Sequence, residues 1–423
     1  MVSLKQLDCF SECVAIGWSD GGRMNAPLSD LLDWVIIGGG IHGVHLAVQL
    51  IGEAGVAPER LRIIDPGPTL LRSWKRCSAN TGMRYLRSPA VHHLDLDPWS
   101  LLRYAETVEQ REGEARPLFA PPYSRPSVEL FAEHCADVVS RYDLEALHIQ
   151  DTASEITLSC DRVSVALGES GTLSARHVLL AMGAAAQPRW PAWASTLMAH
   201  GMHIYHIFDP GFRLAPETWP GRVAVIGGGI SGAQAAMRLA DGKREVHLIA
   251  RHALRKHQFD SDSGWVGPKN MRGFTTIRSL KKRRAMIRAA RNVGSLPPDV
   301  YRELRASMQR DAIQWHQGEV TASSMGSGAM LQIGSERLYV DAILLATGFE
   351  DHRPGGALVD RMIESHDLPC ASCGFPVVDN HLRWHPRVFV TGPLADLELG
   401  PVSRNIIGAR RAAERIVPVA QRA

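Results

Sequence analysis

The sequence predicts an α/β fold of two parallel-sheet units, one inserted into the other, on the strength of three observations. Trp34-Val35-Ile36-Ile37 runs directly into Gly38-Gly39-Gly40-Ile41-His42-Gly43, and Val223-Ala224-Val225-Ile226 runs into Gly227-Gly228-Gly229-Ile230-Ser231-Gly232. Each glycine cluster opens into an Ala/Leu-rich stretch with helical spacing. Two later apolar runs end alike, at Ala181-Met182-Gly183 and at Ala346-Thr347-Gly348-Phe349, and the chain leaves one unit for the other at each.

The glycine spacing has a physical reading. In Gly-x-Gly-x-x-Gly the first glycine (Gly38, Gly227) permits a tight turn. The second (Gly40, Gly229) lets backbone approach a pyrophosphate, and the third (Gly43, Gly232) lets the helix pack close to its strand. The helix N-terminus then presents free N–H groups and a partial positive charge to the anion. Strand, turn and helix in the right order, twice, predict two Rossmann-like dinucleotide sites; the bland alternative is two plain βα turns.

The strand after each fingerprint separates the ligands. Leu61-Arg62-Ile63-Ile64-Asp65 ends in an acid, whose carboxylate accepts hydrogen bonds from ribose hydroxyls and suits the adenosine of FAD or NAD. Glu245-Val246-His247-Leu248-Ile249-Ala250 ends in Arg251, with Arg255 and Lys256 close behind, which suits a ribose 2′-phosphate and hence NADPH. The alternative for Arg251 is a solvated strand-end charge. FAD with NADPH on one chain means a flavoprotein reductase or monooxygenase. The division expected is a discontinuous FAD domain over 31–190 and 350–423, with an NAD(P)H domain over 191–349 inserted into it.

Along the chain, residues 1–30 lack a basic segment followed by an apolar core, so no secretory signal is expected. They read as a poorly structured extension, with Met24 a candidate start. Residues 66–126, rich in Pro, Arg, His and Trp, read as an irregular functional segment. Within it Trp74 either covers a flavin or packs as an ordinary core aromatic. Ser127 to Tyr142 reads as a helix capped by Ser127, and 151–176 as a β-meander. Arg387-Val388-Phe389-Val390-Thr391-Gly392-Pro393 is a last strand and turn, and Pro401 to Ile416 a helix whose N-terminus points at the flavin. Gly348, Gly392 and Pro401 are therefore cofactor-binding candidates, as is Asn405, which either bonds the flavin ring or faces solvent.

Composition excludes several classes. With 47 basic against 44 acidic residues and a net charge of +3, no general affinity for nucleic acid or anionic membrane is implied. No run has the length and apolar continuity of a membrane span. Seven scattered cysteines fit free thiols in a reducing cytoplasm. Cys370-Ala371-Ser372-Cys373 is open between a redox pair, a metal or structural role, and coincidence. The run Lys281-Lys282-Arg283-Arg284 reads as a solvated helix face, the alternative being help with NADPH phosphates or an acidic substrate. No Ser/His/Asp triad or metal-ligand set has convincing spacing.

These residues resemble the class B flavoprotein monooxygenases, within the two-dinucleotide-domain flavoproteins, over nearly the whole chain after Leu31. The chain looks most like the lysine/ornithine N-hydroxylases. Leu86-Arg87-Ser88-Pro89 followed by Ser100-Leu101-Leu102-Arg103-Tyr104 is similar to that family's Leu-Arg-Asp-Pro segment and the helix after it. Asp260-Ser261-Asp262-Ser263-Gly264-Trp265 matches loosely its acidic/serine stretch. Asn292, followed by Pro298 and Val300-Tyr301, resembles the Asn-Tyr segment that reaches nicotinamide and substrate. The resemblance implies FAD reduced by NADPH, reaction with molecular oxygen to a flavin hydroperoxide, and hydroxylation of a soft nucleophile, nitrogen or sulfur, of a small-molecule substrate. It implies catalytic roles for Asn292, Arg87 and Arg84 in a pocket with His92 and His93, whose bland reading is backbone bonding.

The chain departs from the family at the substrate lysine. That position falls at Thr81 in one register and at Arg87 in another. Two rival functions remain open: a disulfide or quinone reductase using Cys370 and Cys373, and a non-catalytic flavin-binding sensor.

Overall fold

The computed structural model describes residues 31–113, 116–184, 187–241 and 244–422; the expected extension 1–30, with Met24, lies outside the described residues. Its architecture is the α/β arrangement expected, built on two main sheets. The first runs, in spatial order, Arg383–His385, Val388–Val390, Thr172–Leu180, Leu32–Ile37, Leu61–Asp65, His148–Gln150. Its central pairs are parallel, with Trp34 opposite both Leu61 and His177. The second runs Ile313–Gln317, Glu245–Ala250, Arg222–Ile226, Ala342–Leu345, His203–His206, parallel throughout. Strands covered on both faces need continuous apolar runs, which is why Val35-Ile36 and Val223-Ala224-Val225 are wholly buried.

The two passages between sheets lie side by side. Arg189 N–H donates to Gly348 O at 2.9 Å and Glu350 N–H to Gln187 O at 2.9 Å. Thr347 Oγ1 donates to Arg189 O and faces His206 Nε2 at 3.1 Å. A residue in each passage thus holds the other.

Several local expectations stand. The helix Val128–Arg141 is capped by Ser127, whose Oγ accepts from Leu130 N–H at 3.1 Å. The meander is Ala153–Leu158, Val163–Leu167 and Thr172–Leu180, paired antiparallel. Others need correction. The segment 66–126 contains the helices Arg72–Thr81 and Ser100–Glu112. The first was invisible to periodicity because its buried positions are Arg76, Ser78, Asn80 and Thr81 rather than apolar residues. The C-terminal helix spans Ile406–Ala420 and not Pro401–Ile416; Gly400–Arg404 is a separate 3₁₀ turn and Asn405 the cap. The basic run also departs from a solvated face. Lys281 and Lys282 are exposed, but Arg284 is buried against Asp396 (3.0 Å) and Asp351 (2.7 Å), and Arg283 binds Glu398 at 2.8 Å.

The packing has two measurable consequences. Desolvation holds His42, His92, His93, His177 and His206 at about 4, and His45 and His134 at about 3, against an ordinary 6.5. Between those values the unfolded chain binds more protons than the folded one, so stability is present above pH 6.5 and lost as pH falls toward 4. Thermal midpoints measured by circular dichroism should be level above pH 7 and fall steadily from 6.5 to 4; a midpoint constant across that window contradicts the burial. Separately, a Cβ at Gly43 would stand 1.8 Å from Gly38 O. Gly43→Ala should lower the midpoint by about 2–4 °C, as an overpacking cost of a few kcal/mol does in a chain of this size.

Candidate functional site

Four strand ends and one helix start meet at one rim of the first sheet. Gly38 leaves Leu32–Ile37 with φ +114°, a conformation open to glycine, and donates to Ile64 O at 2.8 Å. The helix Ile41–Gly52 begins immediately, its first intrahelical bond running from Val44 N–H to Gly40 O at 3.0 Å. The N–H groups of Ile41, His42 and Gly43 have no helical acceptor, which makes the helix start an anion cradle. A Cβ at Gly40 would meet nothing within 4 Å, so space is kept open over the second glycine. Asp65 closes the cradle: Oδ2 accepts from Gly39 N–H and Oδ1 from Gly67 N–H, both at 2.8 Å. The carboxylate retains lone pairs for a ribose.

Gly392 stands beside this cradle. Thr391 N–H donates to Leu180 O at 3.1 Å, placing the turn at the same sheet end, and Gly392 (φ +64°) lies 3.8 Å from the His42 ring, measured from an added Cβ. Pro401 is buried in the 3₁₀ turn before Asn405, and Asn405 caps the C-terminal helix.

The second rim repeats the first. Gly227 has φ +137° and donates to Ile249 O at 2.9 Å, and a Cβ at Gly232 would stand 1.9 Å from Gly227 O. Ala233 N–H to Gly229 O opens the helix Ile230–Ala240 at 3.0 Å. Because Ile64 and Ile249 take the same bond, the position matching Asp65 is Ala250, with Arg251 one residue on. The second cradle therefore has no carboxylate at the ribose position and carries an exposed cation beside it. Gly348 lies in the passage just past this rim, with φ +80°.

The remaining candidates are brought to the junction of the two halves, mostly as fasteners. Arg84 is exposed and ion-paired with Glu303. The Arg87 guanidinium donates to His257 O (2.8 Å), Gln258 O (3.0 Å) and Ser295 Oγ (3.2 Å), and its desolvation pushes its pKa down. Asn292 donates through Nδ2 to Phe259 O at 3.0 Å, and its N–H to Asp260 O at 2.7 Å. Next to it Gly294 lies 3.4 Å from a Cβ added at Gly229, so the Asn292 turn borders the second cradle. Trp74 stands against Phe131, ring centroids 5.0 Å apart. His93 bonds backbone, facing Pro98 O at 3.0 Å and accepting from Asp95 N–H at 3.2 Å. Thr81 is buried and donates to Ser78 O. Its helix is committed to the second half instead: Arg76 holds Phe208 O (2.9 Å), and Asn80 holds Ile207 O (2.9 Å) and Phe212 O (3.1 Å).

Sequence reasoning missed two groups. His42 fills a variable position of the first fingerprint, where spacing assigns no chemistry; its ring reaches Thr391 Oγ1 (2.8 Å) and Asn405 O (3.2 Å). Asp396, fully buried, holds Arg284, Arg404 (2.6 Å) and Ser403. Only its position just after the Gly392 turn could have drawn notice.

Comparison with known proteins agrees with this architecture. The chain is 25% identical over 257 residues to neopentalenolactone D synthase of Streptomyces avermitilis, a match covering 57% of this chain and 39% of that relative's length. Among solved structures it superposes on the ornithine hydroxylase of Pseudomonas aeruginosa with a TM-score of 0.72, at 17% identity, covering 93% of this chain and 99% of that one. The ornithine N-hydroxylase of Kutzneria sp. 744 gives 0.71 at 17% identity, covering 93% and 99%. Among described residues no helix is long and apolar enough to cross a membrane. Residues 35–294, which carry both glycine cradles, match the pyridine nucleotide-disulphide oxidoreductase family, and the chain belongs to it.

Proposed function

We propose that the chain is an FAD- and NADPH-dependent monooxygenase that hydroxylates a soft nucleophile, an amine nitrogen or a sulfur, of a small molecule. The observation that carries this reading is the pair of matched cradles with opposite strand-end chemistry. One ends in Asp65, the other in Ala250 and Arg251. On this reading residues 31–190 and 350–423 hold FAD and residues 191–349 hold NADPH. The open space over Gly40 fits a pyrophosphate, and the free N–H groups of Ile41, His42 and Gly43 supply its donors. Asp65 takes the ribose hydroxyls, and the Gly392 turn and Asn405 border the ring end. Ile230, Ser231 and Gly232 offer the same donors to the second pyrophosphate, and Arg251 meets the 2′-phosphate. Flavin supplies, when bound, hydride acceptance and oxygen activation.

The protein's own share is orientation and dryness. Trp265, Phe274, Ile287, Phe375, Leu397, Val402 and Ile407 form one buried apolar cluster between the helices of 268–290 and the segment after Gly392, which keeps water from that side. Asn292, bordering the second cradle, is the residue best placed to meet nicotinamide or substrate. The family's substrate lysine falls at Thr81 in one register, where the side chain is buried, and at Arg87 in the other, where the guanidinium is taken by His257 O, Gln258 O and Ser295 Oγ; on either register the substrate is held by other groups. The fold is shared more closely with ornithine hydroxylases than with bacillithiol disulfide reductases, TM-scores 0.72 and 0.60, which supports monooxygenation over disulfide reduction. So does Cys370, whose thiol burial pushes up rather than down, the opposite of an activated nucleophile. Free thiols at Cys77, Cys135, Cys370 and Cys373 support a reducing cytoplasm.

Purified protein supplied with FAD should turn yellow, oxidise NADPH and consume oxygen, and yield hydroxylated product from an amine or sulfur compound in a screen. A colourless preparation sinks the reading. Gly40→Ala should leave the thermal midpoint within about 1 °C, because its Cβ meets only open space, yet abolish FAD retention. Arg251→Ala should raise KM for NADPH roughly tenfold or more, the size of a lost charge-assisted bond, and leave KM for NADH in place. The pair Cys370→Ser and Cys373→Ser should retain NADPH-driven flavin turnover; its loss favours the reductase.

A further inference from the structure

His42 lies at the second helical position of Ile41–Gly52, so its backbone N–H is one of the cradle donors. Its side chain reaches away to two segments more than three hundred residues downstream. Nε2 is 3.2 Å from Asn405 O and Nδ1 is 2.8 Å from Thr391 Oγ1. A carbonyl only accepts, so Nε2 carries the proton and donates to Asn405; Nδ1 is then bare and accepts the Thr391 hydroxyl proton. Both bonds are satisfied by one neutral tautomer alone. Asn405 is the cap of Ile406–Ala420, and Thr391 precedes Gly392. The imidazole therefore joins the helix start that receives the pyrophosphate to the turn and the helix cap that border the ring end.

We propose that His42 is a positioning residue which sets the flavin ring end against the pyrophosphate cradle, so that both ends of FAD are gripped in one fixed separation. The inference rests on the reading that the first cradle holds FAD. The two ends of the site come from sequence positions 41–43 and 391–405, and along the rim itself the imidazole is the side chain that bonds both. Its low basicity, at about 4, keeps the ring neutral through the physiological range, so the link does not switch with pH there. A protonated ring would put a hydrogen on Nδ1 against the Thr391 hydroxyl and would turn that oxygen around.

The test uses the full-length chain, stripped of flavin and titrated with FAD, alongside His42→Ala, His42→Asn, Thr391→Val and the double variant His42→Ala with Thr391→Val. Affinity is read from flavin fluorescence, geometry from the visible absorbance bands, and folding from the thermal midpoint. Losing two neutral hydrogen bonds should weaken FAD binding about tenfold in His42→Ala, and losing one about fivefold in Thr391→Val, with displaced absorbance bands. The double variant should be no weaker than His42→Ala, because both changes cut the same link. His42→Asn, whose amide offers both a donor group and an acceptor, should recover part of the affinity. NADP⁺ affinity should not move. Unchanged affinity and bands in His42→Ala, a lowered midpoint without either change, or additive effects in the double variant would each overturn the proposal. If the wild-type chain itself takes up no FAD, it is the reading of the cradle that fails, and that outcome is seen before any variant is compared.

Discussion

The closest constraint in the molecule is the contact between each third glycine and the turn that precedes it. Gly43 and Gly232 press their Cα atoms against Gly38 O and Gly227 O so tightly that any side chain there overlaps the carbonyl, at 1.8 and 1.9 Å. That contact fixes where the helix starts relative to its strand, and the helix start decides where three unpaired N–H groups point. Moving the helix outward by one methyl group would blunt the cradle. The first glycines work on the other side of the turn: Gly38 passes 2.7 Å from Ala181 O and Gly227 2.3 Å from Ala346 O, again measured to an added Cβ. In both halves the cradle is thus held between its own helix and the end of the next strand in the sheet. Binding chemistry, sheet order and helix placement descend from one backbone requirement, met twice.

Because the frames coincide, the differences between them are informative. Asp65 satisfies two N–H groups of its own turn while keeping capacity for a ribose, so the first strand end is rigid before any ligand arrives. Its counterpart Ala250 has no carboxylate to make such bonds and packs against Gly228, with 2.7 Å from an added Cβ, and the next residue, Arg251, is exposed.

What could be read from the sequence was whatever local rules govern. The fingerprints, the Ser127 cap and the meander rest on glycine geometry, capping and alternation, and each was legible. Arg72–Thr81 was not, because its buried face is polar: Arg76 and Asn80 are buried to bond the backbone carbonyls of Ile207, Phe208 and Phe212, partners more than a hundred residues away. Arg284 misled for the same reason, since four consecutive cations look solvated until Asp396 and Asp351 appear opposite. His42 sits in a motif position that the spacing rule leaves free, so its partners Thr391 and Asn405 were visible only in three dimensions. The site's cradles belong to local geometry; its fasteners belong to the tertiary fold.

Those fasteners explain how the halves keep station. Asp396, with no exposed surface, is balanced by Arg284 from the Leu280–Ala290 helix and by Arg404 from its own segment. Taking charges out of water is expensive, and a buried pair of this kind adds little net stability over well-packed apolar residues. Removing one partner is another matter, costing about 3–5 kcal/mol because the survivor is left uncompensated. A rotation that pulls Leu280–Ala290 away leaves Asp396 to Arg404 and Ser403, but takes from the buried Arg284 guanidinium one of its two carboxylate partners. Arg87, Arg76 and Asn80 add hydrogen bonds across the junction, and the cluster around Phe274 and Phe375 adds apolar contact, with the Arg284 guanidinium 4.0 Å over the Phe375 ring. Small displacements are therefore resisted by directional bonds and large ones by an exposed charge. The relation between the two cradles is fixed in this way, and the cost of burying Asp396 goes with keeping it fixed.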